Sequence, residues 1–264
     1  MFKKILALVL VVLLVCACMS ACGKKEVTVA DIQKSGKLVI ATSPDFPPFE
    51  SLNADGTVEG IDIEIMEMIC AELGVELVIE QMDFDSVLPG VQTGKFNVGV
   101  SGISVTPARE NNTLFTDPYC LAAQAIVVTQ DSPITCKADL EGKAVSVQTG
   151  TTAESFCTEN GYEVKSYAAN ADAQMALVTG KVQAWVIDDL TAAEMVALYN
   201  EENPDAPLVV LSEAMTTEPY AFAFAFGSED LVAAINEILN GLVSDGTVAQ
   251  LFEKYNAPYT APQA

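Results

Sequence analysis

The sequence predicts an α/β protein that is divided into two lobes. Strand-like and helix-like segments alternate along the chain, the alternation breaks near residues 116–133 and restarts, and a final stretch adds one strand and two amphipathic helices. Such alternation is typical of an α/β domain with a largely parallel sheet. The 264 residues are enough for one large domain or two modest ones.

The first block is defined by apolar periodicity and by residues that break helices. A Pro-rich loop cannot be helical, because proline lacks a backbone donor and restricts the residue before it. Gly74 follows a run with helical apolar spacing and marks the end of a helix. The predicted elements are a strand (37–43), the loop (45–51), a helix (60–74), a strand (75–82), a short helix (85–94) and a strand (96–104).

The second block repeats this alternation before a segment that we expect to return to the first lobe. Its predicted elements are a strand (143–150), a helix (151–161), a strand (163–168), a helix (171–180), a strand (182–187), a helix (188–200) and an end near 207–213. The strand and two helices of residues 220–256 complete the chain. We therefore predict a first lobe from 31–120, a second lobe from 121–212 and a return segment from 213–264.

The N-terminus has the pattern of an export signal. Two lysines precede an apolar run that is too short for a comfortable membrane span of ~20 residues. The sequence MSAC before Gly23 resembles a bacterial lipoprotein signal, which predicts a signal peptide at 1–21, a lipidated Cys22 and a tether at 22–30. Cleavage without lipidation and an uncleaved anchor are the alternatives, and Cys16 and Cys18 are weaker lipidation sites. We expect an extracytoplasmic protein held at the membrane by this lipid alone.

Composition excludes several classes of function. The chain has 36 acidic and 13 basic residues and a formal net charge of −23, without the Lys/Arg clusters that phosphate binding needs, so nucleic acid is not an expected partner. It contains no histidine, which excludes Ser-His-Asp and Cys-His nucleophilic systems and His-ligated zinc or iron. We expect no metal and no cofactor.

Four cysteines beyond Cys22 leave the disulfide pattern open. An exported protein permits disulfides, but the spacings of Cys70, Cys120, Cys136 and Cys157 match no metal motif. Free thiols, partial pairing and a Cys136–Cys157 bridge are all compatible with the sequence.

Arg109, the only arginine, lies in an unfavourable place. The segment SVTPARE reads as a helix start with Thr106 as N-cap and Pro107 at the first helical position, which puts Arg109 in the first turn. The positive end of the helix dipole disfavours a cation there by a few tenths to ~1 kcal/mol. A bound anion would offset this cost. A surface ion pair with Glu110 or Asp117 is the alternative.

Seven segments, in order and over nearly the whole chain after residue 22, resemble the polar-amino-acid family of extracytoplasmic solute-binding proteins. They are DFPPFES, GIDIEIMEMICAELGV, DFDSVLPGVQTGKFNVGVSGISVTPARE, FTDPYCLAAQAIVV, VQTGTTAE, GKVQAWVIDD and DGTVAQLFEKYN. The resemblance implies a two-lobed periplasmic-binding-protein (Venus flytrap) fold with two hinge-crossing segments. It also implies a monomer that binds a free amino acid between the lobes and passes it to an ABC permease with its ATPase subunit.

The resemblance assigns roles to residues of the first lobe. Arg109 would bind the α-carboxylate of the ligand, and its planar guanidinium fork suits a carboxylate. Ser104 would contact both the carboxylate and the ammonium group, while Ser101 and Gly102 would offer hydroxyl or backbone contacts. Ordinary turn chemistry at the end of a strand is the alternative for these small residues.

Aromatic and second-lobe positions complete the predicted site. Phe46 and Phe84 match the aromatic residues that enclose the ligand side chain, although each could instead be a core residue. Thr151 and Thr152 lie at a strand–helix junction whose free N–H groups suit an anion, although a threonine there could simply cap the helix. Asp188 would pair with the ligand ammonium, or else cap the helix that follows it.

Three classes of function compete on this evidence. The leading class is an amino-acid-binding component of an ABC importer. Exported dehydratases of the same fold are the second, which the absence of histidine disfavours. Sensory receptors are the third, and these normally carry a transmembrane helix and a signalling domain. Because Ser43 and Ser101 are neutral at positions where some binders of basic amino acids recognise charge, an uncharged polar or sulfur-containing amino acid is favoured, unless Asp45, Glu50 or Asp85 points inward.

Overall fold

A computed structural model of the protein describes residues 26–262, which form two separate five-stranded sheets. The predicted signal peptide (1–21) and Cys22 lie outside the described residues. Within residues 26–262, no helix combines the length and the apolar character that crossing a membrane requires.

The first sheet belongs to the first lobe and is built mainly from residues before 120. The elements of this part are α1 (Val29–Ser35), β1 (Lys37–Thr42), β2 (Asp45–Phe46), β3 (Glu50–Leu52), β4 (Val58–Glu59), α2 (Ile61–Leu73), β5 (Glu76–Gln81), α3 (Phe84–Gln92), β6 (Val98–Gly99), α4 (Pro107–Glu110) and β7 (Leu114–Phe115). Strand β1 pairs in parallel with β5 on one side and β6 on the other. Strands β2, β3 and β4 form a small antiparallel sheet of their own.

The second sheet lies in the second lobe. The elements here are β8 (Cys120–Ala122), β9 (Gln124–Thr129), a 3-10 helix (Lys137–Leu140), β10 (Ala144–Gln148), α5 (Thr152–Glu159), β11 (Glu163–Tyr167), α6 (Asn170–Val178), β12 (Ala184–Asp188), α7 (Asp189–Glu202) and β13 (Leu208–Val210). Strand β8 precedes the sheet, whose order is β11-β10-β12-β9-β13. Trp185 on β12 is fully buried in its core.

The chain crosses between the lobes twice. The last elements are β14 (Glu218–Tyr220), β15 (Ala223–Phe224), α8 (Glu229–Ser244) and α9 (Thr247–Lys254). Strand β14 pairs antiparallel with β8, and this two-stranded ladder is the connection between the lobes. Strand β15 then joins the first sheet between β6 and β7. The predicted two-lobed α/β fold with two crossing segments is confirmed.

Several local predictions were wrong. Both sheets are mixed, because β9 and β13 in one and β7 and β15 in the other run antiparallel to their neighbours. The strand predicted at 96–104 is only two residues long in β6, since the chain then turns along the cleft. The strand predicted from residue 220 is split between β14 and β15, because the chain changes lobes there. Helix α1 overlaps the predicted tether and was not predicted.

The four described cysteines are free thiols. Cys157 is fully buried in the core of the second lobe, whereas Cys136 is partly exposed and its Sγ donates to Asp139 at 3.6 Å. The Cys136–Cys157 bridge is therefore not formed.

Gly60 precedes α2 at a point where no side chain fits. Its φ is +140°, and a Cβ atom built there would lie 2.1 Å from the carbonyl oxygen of Phe49. We expect Gly60→Ala to lower the free energy of unfolding by about 2–4 kcal/mol, because backbone strain and a steric clash add. Urea denaturation measures this loss.

Gly56→Ala is the matched control. Gly56 also has a positive φ, +84°, but a Cβ atom there would meet nothing within 4 Å. Its substitution should cost only about 1–2 kcal/mol, from the backbone conformation alone. If both variants lose the same free energy of unfolding, the clash with Phe49 is not the reason that glycine is needed at position 60.

Candidate functional site

A cavity of about 260 Å³ lies between the two lobes. This volume includes space that is open to solvent. The residues that line it are Phe46, Phe84, Ser101, Gly102, Ser104, Arg109, Gln148, Thr151, Thr152 and Asp188. All nine predicted site residues are among them, so the structure brings the whole predicted set together, while their contacts with a ligand stay predictions.

The fold explains why these residues meet. Ser101 to Ser104 follow the end of β6, Gln148 is the last residue of β10, and Asp188 is the last residue of β12. Ligand sites of open α/β sheets lie at the carboxyl ends of strands. Gln148 was missed by the sequence analysis, although its place at the end of a predicted strand was a signal that could have found it.

Arg109 projects from the short helix α4 into the cleft. Thr106 caps this helix by accepting a hydrogen bond from the Arg109 N–H at 3.2 Å, as predicted. The guanidinium donates through Nη1 to the Ser104 carbonyl at 2.8 Å and through Nη2 to the Gly150 carbonyl at 3.2 Å. It also lies over the Phe84 ring, 5.6 Å from the ring centroid. Arg109 is therefore held by both lobes.

The charge of Arg109 has no direct counter-ion among the described residues. Within residues 26–262, no carboxylate lies within 4.0 Å of the guanidinium, so the ion pair with Glu110 or Asp117 is not formed. Burial lowers the pKa of Arg109, and the more distant charges of Asp188 and Glu218 oppose that shift. A partly buried cation bonded only to neutral carbonyls leaves room for a bound anion.

Asp188 is a buried carboxylate on the second lobe, at the end of β12 and the start of α7. It accepts hydrogen bonds from Gln124 Nε2 at 2.8 Å and from the hydroxyl of Tyr220. It makes no side-chain cap to α7, so capping does not explain its position. Burial, followed by the nearby charge of Glu218, raises the pKa of Asp188 to about 7.

The two threonines at the start of α5 differ in role. Thr151 is the N-cap, since its hydroxyl accepts from the Glu154 N–H at 3.2 Å and donates to the Gln148 carbonyl at 2.7 Å. The hydroxyl of Thr151 therefore caps the helix, which was the alternative to a ligand contact. Thr152 Oγ1 accepts from Gln124 Nε2 at 3.2 Å. The first N–H groups of a helix have no partner within the helix, and those of α5 lie at the cavity.

The hydroxyl groups of Ser101 and Ser104 are not equally available. Within the described part of the chain, the Ser104 hydroxyl has no hydrogen bond, while Ser101 Oγ donates to Glu50 at 2.9 Å and accepts from the Ser43 N–H at 3.1 Å. Ser101 is therefore already engaged behind the cavity wall. Its expected hydroxyl contact would need a change in these bonds.

Gly102 makes space for an aromatic ring. Its φ is +51°, and a Cβ atom there would lie 2.7 Å from the ring of Phe46. Its N–H donates to Asp62 at 3.0 Å, which leaves the carbonyl and the Cα atom for other contacts. The ring of Phe46 also stacks on that of Phe49 at 5.8 Å between centroids. Phe46 is thus both a cavity wall and a core residue.

Two further acidic residues, which the sequence analysis did not assign to the site, lie directly behind it. Glu50 and Asp62 are both fully buried. Asp62 accepts from the Gly102 N–H and from the hydroxyl of Tyr119, and burial raises its pKa to about 7. Burial and the charge of Asp62 raise the pKa of Glu50 well above its ordinary value. Glu50 and Asp62 thus fix two residues of the cavity wall, because they accept hydrogen bonds from Ser101 and Gly102.

The fold and the cleft define a solute-binding protein. The chain belongs to the bacterial extracellular solute-binding proteins, family 3, whose pattern it matches over residues 38–258. This is a family of binding proteins and not of enzymes, and it places the protein outside the cytoplasm.

Individual relatives support the same assignment. The chain is 27% identical over 228 residues to the L-cystine-binding protein of Escherichia coli, covering 85% of this chain and 84% of that protein. It is 30% identical over 252 residues to the arginine-binding extracellular protein of Bacillus subtilis, covering 92% and 96%. The structure of holo ArgBP from T. maritima is similar with a TM-score of 0.76 and 35% identity, covering 86% of this chain and 99% of that one.

Proposed function

We propose that the cavity between the lobes captures a free α-amino acid whose side chain is uncharged. The protein is the amino-acid-binding component of an ABC importer, in keeping with its family and with relatives that bind cystine, arginine and histidine. The observation that carries the proposal is the unpaired guanidinium of Arg109, which shares one small cavity with the carboxylate of Asp188.

Arg109 is the group proposed to bind the ligand carboxylate. Its neighbours at the guanidinium are neutral carbonyl oxygens, and the free hydroxyl of Ser104 and the N-terminus of α5 border the same cavity. A carboxylate placed there would receive charge-assisted hydrogen bonds from the arginine and from backbone N–H groups. It would also neutralise a cation that burial now destabilises.

Asp188 is the group proposed to bind the ligand ammonium. It is the only acidic residue among those that line the cavity. Its two protein partners, Gln124 and Tyr220, donate neutral hydrogen bonds that leave its charge uncompensated. An ammonium group would supply that charge, and a zwitterion would neutralise Arg109 and Asp188 at the same time.

The rest of the cavity supports an uncharged side chain. Apart from Arg109 and Asp188, its lining is aromatic, hydroxylic, glycine or amide. Asp45, Glu50 and Asp85 are the acids that would have favoured a charged side chain, and none of them is part of the lining. Glu50 is fully buried behind Ser101, Asp85 is exposed, and Asp45 bonds to residues of the second lobe. A polar or sulfur-containing neutral side chain is the proposed specificity.

Lobe closure links binding to transport. Arg109 and the aromatic residues belong to the first lobe, whereas Thr151, Thr152 and Asp188 belong to the second. A ligand that contacts both sets binds the closed form more tightly and shifts the population towards it. We propose that the monomeric protein, held at the membrane by a lipid on Cys22, presents this closed form to the permease, and that the ATPase subunit drives transport.

Removal of the Arg109 guanidinium should abolish most of the affinity. Arg109→Ala is expected to cost about 3–5 kcal/mol of binding free energy, because it leaves the ligand carboxylate unpaired in a desolvated cleft. This corresponds to a loss of roughly 10²–10³ or more in affinity. Calorimetric titration measures it, with Lys34→Ala, which removes an exposed cation on α1, as the control. Binding of Arg109→Ala within twofold of the natural protein would refute the assignment.

The proposed specificity can be tested by a thermal-shift screen of the twenty common amino acids and L-cystine. Ligand at about 100 times its Kd adds roughly 2.7 kcal/mol to the free energy of unfolding. We expect the largest shifts from neutral polar or sulfur-containing amino acids, because Arg109 and Asp188 are assigned to the backbone groups of the ligand and no other charged residue is among the described residues that line the cavity. Stabilisation confined to arginine, lysine or the acidic amino acids would contradict this proposal while leaving amino-acid binding intact.

The affinity should fall as the pH is lowered below 7. The pKa of Asp188 is about 7 in the ligand-free cavity, and a bound ammonium would favour the ionised form. Binding must then release a proton from Asp188 below pH 7, so affinity should decline by up to about tenfold per pH unit well below that value. Calorimetry in buffers of different ionisation enthalpy measures the released proton.

Asp188→Asn provides the control for this dependence. This variant should bind more weakly at pH 8, by about 2–5 kcal/mol, and should lose the component of the pH dependence that comes from Asp188. Asp62, whose pKa is also about 7, keeps its bonds to Gly102 and Tyr119 in this variant. An unchanged pH profile in Asp188→Asn would assign the dependence to Asp62 or to another group.

A further inference from the structure

Asp45 lies outside the cavity lining but connects the two lobes beside it. Its carboxylate accepts a hydrogen bond from the Asn170 N–H at 2.7 Å and from Gln148 Nε2 at 3.3 Å to each oxygen. Asp45 is on β2 of the first lobe, whereas Gln148 and Asn170 belong to the second. The hydroxyl of Ser43, in its own lobe, donates to it at 3.1 Å. These bonds to the second lobe exist only while the lobes are together.

Asn170 is the first residue of α6, a helix that cannot cap itself. The N-cap position is Ala169, whose side chain has no hydrogen-bonding group, although its backbone (φ −107°, ψ 144°) is that of an ordinary N-cap. The N–H groups at a helix start need acceptors, and a carboxylate there also interacts favourably with the helix dipole. In this protein the acceptor comes from the opposite lobe.

Asp45 also fixes the orientation of a cavity residue. Gln148 lines the cavity, and its Nε2 donates to Asp45 and to the Ala168 carbonyl at 3.0 Å, while its Oε1 accepts from Asn170 Nδ2 at 3.0 Å. An ionised carboxylate can only accept hydrogen bonds, so the amide nitrogen of Gln148 has to face it. Asp45 therefore determines how this amide is presented beside the bound solute.

We propose that Asp45 is a positioning residue for ligand capture, which stabilises the closed form by capping α6 across the cleft and by orienting Gln148. The inference rests on the proposed function, because it assumes that closure retains an amino acid. Asp45 need not contact the ligand. Its contribution should therefore appear mainly in how slowly the ligand leaves.

The test is the dissociation rate of whichever of the twenty common amino acids or L-cystine binds most tightly to the natural protein. Stopped-flow displacement should show that Asp45→Ala releases this amino acid about tenfold faster. The association rate should change by less than about threefold, because the open form receives the ligand. Asp205→Ala removes an exposed carboxylate from the turn after α7 and should leave both rates unchanged.

A double variant distinguishes an effect of Asp45 on lobe closure from an effect on the stability of α6 alone. Asp45→Ala/Ala169→Ser gives α6 a cap from its own lobe, in the open and the closed form alike. We expect it to recover any melting temperature that Asp45→Ala loses in the ligand-free protein, while dissociation remains fast. Asp45→Asn keeps an acceptor for the Asn170 N–H and should recover part of the slow dissociation.

Three results would overturn the inference. If the double variant restores slow dissociation, Asp45 acts only by stabilising α6 within its own lobe. If Asp45→Ala dissociates at the rate of the natural protein, the bonds across the cleft do not retain the ligand. If none of the twenty-one amino acids binds the natural protein, the proposed function fails first and the inference fails with it.

Discussion

The arrangement of the cleft depends on the guanidinium of Arg109, a cation without a direct counter-ion among residues 26–262. Its position in the first turn of α4 is electrostatically unfavourable, and burial adds to that cost. Its two hydrogen bonds are to neutral carbonyls, one from each lobe. The protein thus holds a cation without a direct partner charge at the point where the lobes meet, and the proposed solute carboxylate would supply that charge.

The remaining polarity of the cleft is arranged around this cation. Asp188 provides negative charge within the cavity, while Glu50 and Asp62 are held behind its wall. Their pKa values are all raised by burial, so each is easier to protonate than an exposed acid. Proton uptake by these groups limits the negative charge that accumulates in an empty cleft. The proposed zwitterionic solute would change this balance at Asp188, because its ammonium group would favour the ionised carboxylate.

Most of the cavity residues were predicted from the resemblance to a known family, and local patterns at helix starts added support for Arg109, Thr151 and Thr152. Local sequence indicated helix caps at Thr106 and Thr151, and both residues cap helices in the structure. Gln148 escaped although it lies near the end of a predicted strand, because it carries no charge that would have drawn attention to that position. The contact of Asp45 with Asn170 joins residues 125 positions apart and belongs to the relation between the lobes, which local periodicity does not encode.

Strand direction was missed for a related reason. Alternation of strands and helices predicts parallel neighbours, but β9 and β15 lie beside the crossing strands and enter their sheets from the opposite end. The buried acids were also hard to assign. Asp62 lies within an otherwise apolar helix start, and only its partners Gly102 and Tyr119, 40 and 57 positions away, reveal its role.

Tyr220 connects the two-stranded ladder of β8 and β14 to the cleft. It lies on β14, opposite Cys120 of β8, and its hydroxyl reaches the carboxylate of Asp188. Atoms close to a pivot are displaced least when two bodies rotate about it. The side of the cleft that carries Asp188 is therefore tied to the ladder that connects the lobes, so a rotation of the lobes about this ladder should displace it little.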